Sequence, residues 1–356
     1  MLVTGHTGFK GSWLTVWLHE LGAELGGYAL APEGEPNLFD RLGLASRCRH
    51  RIADVRDAGA LRETCAAFDP EIVIHMAAQS LVRRSYRDPV GTFTVNAMGT
   101  AHLLDACRGR ANLRAVVVVT TDKVYENPER GDAFAESDPL GGHDPYSASK
   151  AAAEIVTASY RRSFGPGSAA GDLTAAVASA RAGNVFGGGD WSKDRLIPDA
   201  ARAFGGGGSV LVRNPSSIRP WQHVVEPLSG YLMLARALWE RPEPFARAYN
   251  FGPRPDQVLE VGAVMDAFAR HWGDGARWHH EPQKTAPHEA ATLLLDSAAA
   301  RGDLGWAPAA GFEEAVAGTA LWYKQACRGA SAADLHALTV AQIEAFSGVP
   351  VRGSAD

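Results

Sequence analysis

The sequence predicts an α/β protein, a doubly wound Rossmann-type parallel sheet with a smaller C-terminal lobe. Three observations carry this prediction. A glycine-rich turn, Gly5-His6-Thr7-Gly8-Phe9-Lys10-Gly11, lies between an opening apolar strand and an amphipathic helix. Two later runs, residues 71–76 and 114–120, are continuously apolar and rich in Val and Ile, as in parallel strands buried on both faces. Strand and helix patterns alternate through the first half of the chain.

The elements follow in order. Leu2-Val3-Thr4 reads as a short strand. Residues 12–21 read as a helix, with Leu14, Trp17, Leu18 and Leu21 on one face and Gly22 as its stop. A second strand spans 24–31, and Asp57 caps a helix that runs to about Phe68. After about residue 185 the periodicity weakens. Gly187-Gly188-Gly189 and the glycines at 205–208 punctuate loops, and Pro215, Pro220 and Pro227 break long elements. Helical patterns return at 226–240, 257–272 and 312–328. The expected division is a dinucleotide-binding domain over 1–184, with strand segments around 210–225 and 246–252 interleaved with it. A mainly substrate-binding lobe covers 185–347, and a small, polar, frayed tail covers 348–356.

The 356 residues suffice for a large core, as one large unit or two intimate ones. A net charge of −5 without a basic stretch speaks against nucleic acid or anionic lipid as partner. No apolar run reaches the ~18 residues of a membrane span. The chain enters a strand at Met1, which leaves no room for a signal peptide. Cys48, Cys65, Cys107 and Cys327 lack metal or redox spacing and read as small buried hydrophobes in a reducing compartment, so a cytoplasmic protein is expected. His279-His280 reads as a solvated pair with no third ligand spaced near it, and no metal is expected.

The chemistry-bearing residues come next. Glycines at 5, 8 and 11 let a backbone turn tightly and approach a pyrophosphate at a helix N-terminus; the plainer reading is an ordinary glycine turn. Asp54-Val55 ends a short strand, where a carboxylate can accept from an adenine amino group. Ala77-Ala78-Gln79 follows the next strand with small residues that let a cofactor pass. The second strand ends at Ala31 without an acid for the adenosine ribose; Glu33 and Glu35 lie just beyond, as ribose ligands or as solvated charges. No Arg stands there to take a 2′-phosphate, which favours NAD over NADP. Asp122 and Lys123 fall at the carboxyl edge of the sheet, either as a proton donor and acceptor or as a surface ion pair. Tyr146 and Lys150 are four apart and share a helix face. An ammonium beside a phenol lowers the phenol's pKa and makes a general base for a sugar hydroxyl. Arg213 and Arg219 flank Asn214-Pro215 before Trp221-Gln222-His223, and they fit a diphosphate or serve as structural surface arginines.

These motifs resemble the extended short-chain dehydrogenase/reductase family, and within it the nucleotide-sugar 4,6-dehydratases of the CDP-glucose branch. The resemblance rests on GHTGFKGSW (residues 5–13), TTDKVYEN (120–127), DPLGGHDPYSASK (138–150), AGNVFGGGDW (182–191), RLIPD (195–199), IRPWQHV (218–224) and LTVAQIEAF (338–346). Lys123 is the sharpest, because related dehydratases usually carry Asp-Glu where the CDP-glucose branch carries Asp-Lys. The resemblance implies a seven-stranded parallel sheet with a nucleotide-sugar lobe, and NAD held by Gly5, Gly8, Phe9, Gly11, Asp54, Val55, Ala77, Ala78, Gln79, Asn96, Tyr146 and Lys150. It implies Tyr146 and Lys150 as the redox pair, Thr121 on the sugar 4-hydroxyl, and Asp122 and Lys123 for dehydration. Asn184, Arg195, Leu196, Arg213, Arg219 and Asn250 would line the CDP-glucose site. Relatives usually have several residues before the first strand, so the native start is expected upstream of Met1. A homodimer or homotetramer is expected.

The implied reaction turns CDP-glucose into CDP-4-dehydro-6-deoxyglucose, a deoxysugar precursor, by oxidation at C4, loss of water across C5–C6 and hydride return to C6. Lys123 is either the C5 base or a cation that stabilises the enolate. A nucleotide-sugar 4-epimerase, a dehydratase of another nucleoside-diphosphate hexose and a non-catalytic dinucleotide sensor are the alternatives.

Overall fold

A computed structural model of the chain describes residues 1–129, 131–254, 257–281 and 293–349. The continuously apolar runs form the centre of a seven-stranded, wholly parallel sheet. Its spatial order is Ala248–Phe251, Ala176–Ala182, Ala115–Val119, Ile72–His75, Leu2–Thr4, Gly26–Ala29 and Arg49–Ile52. Alternate residues of one strand face two apolar layers. Val117 and Val119 pack with Trp13, Leu14, Trp17, Leu228 and Tyr231, whereas Val116 and Val118 pack with Leu61, Cys65, Leu103 and Leu104. Each such aliphatic or aromatic side chain contributes about 1.5–3 kcal/mol by leaving water. The strand order reverses beside Leu2–Thr4, so the carboxyl ends of the strands open a crevice there.

Several expectations are corrected. The first helix spans Phe9–Glu20, three residues earlier than read, because Gly8 already serves as its N-cap. The segments around 210–225 do not join the main sheet. Ser209–Val212 pairs with Arg277–His280, and Ile218–His223 lies between Asn184–Phe186 and Val258–Glu260. That antiparallel pairing makes a strand of residues 258–260, so the helix read over 257–272 begins at Val261. Ala248–Phe251 does take the edge of the main sheet. Helices at Leu196–Gly205 and Ala332–Ser347 lie where the periodicity suggested none. Cys65 and Cys107 are buried, but Cys327 is exposed; all four cysteines are free. Of the tail, Gly348 closes the last helix in a left-handed turn, and residues 350–356 lie outside the described residues.

The helix Pro145–Phe164 is fastened to the sheet by a buried carboxylate. Glu154 accepts from Thr120 Oγ1 at 2.5 Å, from Ser179 Oγ at 2.6 Å and from Arg181 Nη2 at 2.9 Å. Arg181, equally buried, also donates to the Tyr125 hydroxyl at 2.8 Å. Glu154→Ala therefore strands a buried guanidinium. It is expected to cost about 3–5 kcal/mol in urea denaturation. Glu154→Gln, whose amide oxygen can still accept from Ser179 and Arg181 and whose NH2 can donate to the Thr120 hydroxyl, should cost clearly less.

Candidate active site

The carboxyl edge of the sheet gathers most of the candidate residues. Gly5 follows the first strand with φ +77°, and a Cβ there would lie 2.7 Å from Ala77 N. At Gly11 a Cβ would sit 2.0 Å from the Gly5 carbonyl oxygen, so the turn closes on the helix only with glycine at both positions. Gly8 differs: it is exposed, and a Cβ would meet nothing nearer than Gly5 O at 3.4 Å. The helix behind it has no side-chain cap and no acid in its first turn. Its first backbone N–H groups therefore face an uncrowded surface, which suits a pyrophosphate.

The other cofactor candidates divide by what their side chains already do. Asn96 is buried; its amide accepts from Gln79 N (2.8 Å) and donates to Gln79 O (3.0 Å) and Ser149 Oγ (2.8 Å). It positions the Ala77-Ala78-Gln79 loop against the helix that bears Tyr146. The Gln79 side chain is engaged with Leu81 and Thr92 inside that loop. Asp54 lies two residues beyond its strand, where the Arg56 guanidinium holds its carboxyl below the usual range. Val55 is buried against Gly99. Beyond the second strand, Glu33 pairs with Arg84 at 2.9 Å. Thus an Arg does reach the place where none stands in the local sequence, and a carboxylate occupies it.

Asp144 builds the start of the helix Pro145–Phe164. Its Oδ1 accepts from the N–H groups of Tyr146 (3.0 Å) and Ser147 (3.1 Å), and Pro145 takes the first helical position. One turn on, Lys150 Nζ donates to the Val119 carbonyl at 3.1 Å, which fixes the Tyr–Lys face over the strand end. From the phenol a polar chain runs across the site. The Thr121 hydroxyl is hydrogen-bonded to Tyr146 and donates to Asp122 Oδ1 at 2.9 Å. Lys123 Nζ donates to that same oxygen at 3.0 Å and to Asn184 Oδ1 at 3.2 Å. Asp122 is wholly buried, and its Oδ2 has no hydrogen-bond partner among the described residues.

The expected lowering of the Tyr146 pKa is not what this geometry gives. Burial pushes the phenol up, to about 12, against the pull of the Thr121 hydrogen bond. Burial likewise brings Lys150 down to about 8, with Glu154 opposing. Spacing reports that a lysine is near; it does not report how dry the pair is, and dryness dominates here.

On the substrate side the candidates scatter more. Asn184 touches Lys123. Arg195, just before the helix that starts at Leu196, donates to Asp190 at 2.9 Å and to Ser80 at 3.3 Å, and its charge is felt by Tyr146. Arg219 is buried and donates to its neighbour's carbonyl, Ile218 O, at 2.8 Å. Arg213 faces Asp194 at 3.9 Å. The Asn250 amide is already engaged: it donates to Phe134 O and Asp296 O and accepts from the Tyr125 hydroxyl. Two groups went unassigned, Lys10 and Tyr231. Lys10 lies in the electrostatic reach of Asp122, Lys123, Lys150 and Arg195. The only signal was a lysine inside a glycine turn, a position normally read for its backbone alone.

Asp144→Ala removes the cap that seats Tyr146. It should cost about 1 kcal/mol in chemical denaturation, and turnover should fall by more than that loss of stability explains.

Comparison with known proteins agrees with this geometry. Residues 2–319 match the family model described as GDP-mannose 4,6 dehydratase. The chain is 47% identical over 329 residues to CDP-glucose 4,6-dehydratase of Salmonella typhimurium, covering 92% of this chain and 91% of that protein. Among solved structures, UDP-glucose 4-epimerase of Thermus thermophilus in complex with NAD superposes with a TM-score of 0.75 at 26% identity, covering 92% and 99% of the two chains. The dTDP-glucose 4,6-dehydratase of Streptomyces venezuelae, a double mutant with NAD and DAU bound, gives 0.73 at 25% identity, covering 91% and 96%. A single family match that spans nearly the whole sheet and its crevice places this chain in the GDP-mannose 4,6 dehydratase family of the extended short-chain dehydrogenases/reductases.

Proposed function

We propose that the protein dehydrates CDP-glucose to CDP-4-dehydro-6-deoxyglucose with bound NAD. The observation that carries this reading is the Asp122–Lys123 pair on the Thr121–Tyr146 chain. Likeness to a CDP-glucose dehydratase over nine-tenths of the chain supports the choice of nucleotide. When bound, NAD accepts a hydride and later returns it, and its oxidised ring favours the phenolate. Tyr146, with Thr121, takes the proton of the sugar C4 hydroxyl. The elimination then needs an acid and a base side by side. Moving one proton across the 3.0 Å bond from Lys123 Nζ to Asp122 Oδ1 converts the ion pair into that set. Lys123 then takes the C5 proton, Asp122 protonates the departing C6 hydroxyl, and water leaves with the ion pair restored.

A 4-epimerase never touches C5 or C6 and has no use for this pair. Asp122→Asn and Lys123→Met should therefore spare oxidation at C4 and stop the sequence there. Reduced, enzyme-bound nicotinamide is expected to accumulate on addition of CDP-glucose, and no product lighter by one water should form. Normal turnover in either variant would remove the dehydratase reading. In the wild type, deuterium at C4 of CDP-glucose should reappear at C6 of the product; label lost to solvent, or found in free NADH, contradicts cofactor retention. Parallel incubations with dTDP-, GDP- and UDP-sugars, read by product mass, test the choice of base.

The same reading includes a homo-oligomer and a cytoplasmic setting. Exposed Val90, Phe93 and Met98 lie on elements packed against the helix Pro145–Phe164, which itself exposes Ile155, and these apolar groups support association there. Among the described residues no helix is long and apolar enough to cross a membrane.

A further inference from the structure

We infer that Lys10 is a positioning residue of the redox step, a cation held by Tyr231 against the reaction centre that favours the reduced form of the bound nicotinamide. The geometry is specific. Lys10 Nζ donates to the Tyr231 hydroxyl at 3.3 Å and stands 5.7 Å from that ring's centroid. Tyr231 is fully buried on the helix Val225–Glu240, with Tyr146 and Asp122 close enough to act on it. Four cations converge from four elements: Lys10 from the first helix, Lys123 from the loop after Ala115–Val119, Lys150 from the catalytic helix, and Arg195. Arg195 has Asp190 as partner, Lys123 has Asp122, and Lys150 has the nearby charge of Glu154. Lys10 has a neutral phenol. Burial, with Arg195 and Lys150 adding, brings it down to about 7 against the pull of Asp122. It therefore changes charge near neutral pH.

A ring that exchanges hydride with a sugar carbon beside Tyr146 would lie among Asp122, Lys150 and Arg195, the charges that Lys10 itself feels. The oxidised nicotinamide carries a positive charge and the reduced one does not, so a nearby ammonium disfavours only the oxidised form. Taking a hydride from C4 then relieves a repulsion, and giving it back restores one. The expected bias is on the order of tenfold in the oxidised-to-reduced equilibrium, as for one unit charge at short range in a partly dry site.

The test is a redox titration of the holoenzyme against an indicator dye, read by the absorbance of bound reduced nicotinamide. Wild type at about pH 6, below the titration of Lys10, should hold the couple about 30 mV more positive than Lys10→Met, the equivalent of tenfold for two electrons. Lys10→Arg, charged at every pH, should keep the wild-type potential and hold it into alkaline solution. Equal potentials in wild type and Lys10→Met overturn the proposal. If Lys10→Met does not fold, Tyr231→Phe decides: the potential at neutral pH should fall, and an unchanged value overturns the proposal. The inference rests on NAD as cofactor. Failure of wild type to bind either oxidised or reduced dinucleotide would sink that assignment along with it, whereas equal potentials sink this inference alone.

Discussion

Glu154 is the group on which the geometry of the site depends. It never needs to meet the substrate. Lying one turn beyond Lys150 and two beyond Tyr146, it binds Thr120, the residue before Thr121, and both Ser179 and Arg181 of the next strand. The helix that bears Tyr146 and Lys150, the strand end bearing Thr121 to Lys123 and the neighbouring strand are thereby held by one carboxylate. Its two oxygens accept three hydrogen bonds, so their lone pairs are well used, and Arg181 offsets its charge in a place closed to water. Asp122, the carboxylate proposed for the chemistry, is arranged the opposite way: one oxygen accepts two hydrogen bonds and the other has no partner among the described residues. The structural acid is saturated, and the acid assigned to chemistry keeps a vacant position for a proton.

Gly183 bears on that vacancy. A Cβ at this position would lie 2.8 Å from Pro220 Cγ and 3.3 Å from Asp122 Oδ2. The glycine lets the strand end pass close to the carboxylate while polar partners stay away from the unpaired oxygen.

Much of the fold was legible in the sequence because parallel central strands are buried on both faces and say so in Val and Ile. Residues 72–75 and 115–119 are the clearest cases, and the Asp57 cap of Ala58–Phe68 is another. What the pattern does not encode is partnership. Residues 209–212 and 218–223 read correctly as strand-like, yet they pair in small sheets of their own. Val258–Glu260 looked helical because its neighbours are, and pairing with Ile218–Pro220 overrode that tendency. At the site, Thr121, Asp122, Lys123, Tyr146, Lys150 and Asn184 do come together. The family assignment made from those motifs agrees with the whole-chain match. The protonation behaviour of Tyr146 was misjudged because sequence spacing conveys neighbours but not desolvation. The register of Asn250 on the edge strand does not reveal that three segments already use its amide.

That use of Asn250 has a mechanical consequence. The residue ties the edge strand to Phe134, to Asp296 and to the Tyr125 ring, and its backbone N–H reaches Glu136. Leu294–Leu295 and Ala133–Phe134 pair beside it. Any hinge placed along this seam would have to break these bonds together. The seam acts as a weld between the strand Ala248–Phe251 and the segments around Phe134 and Asp296.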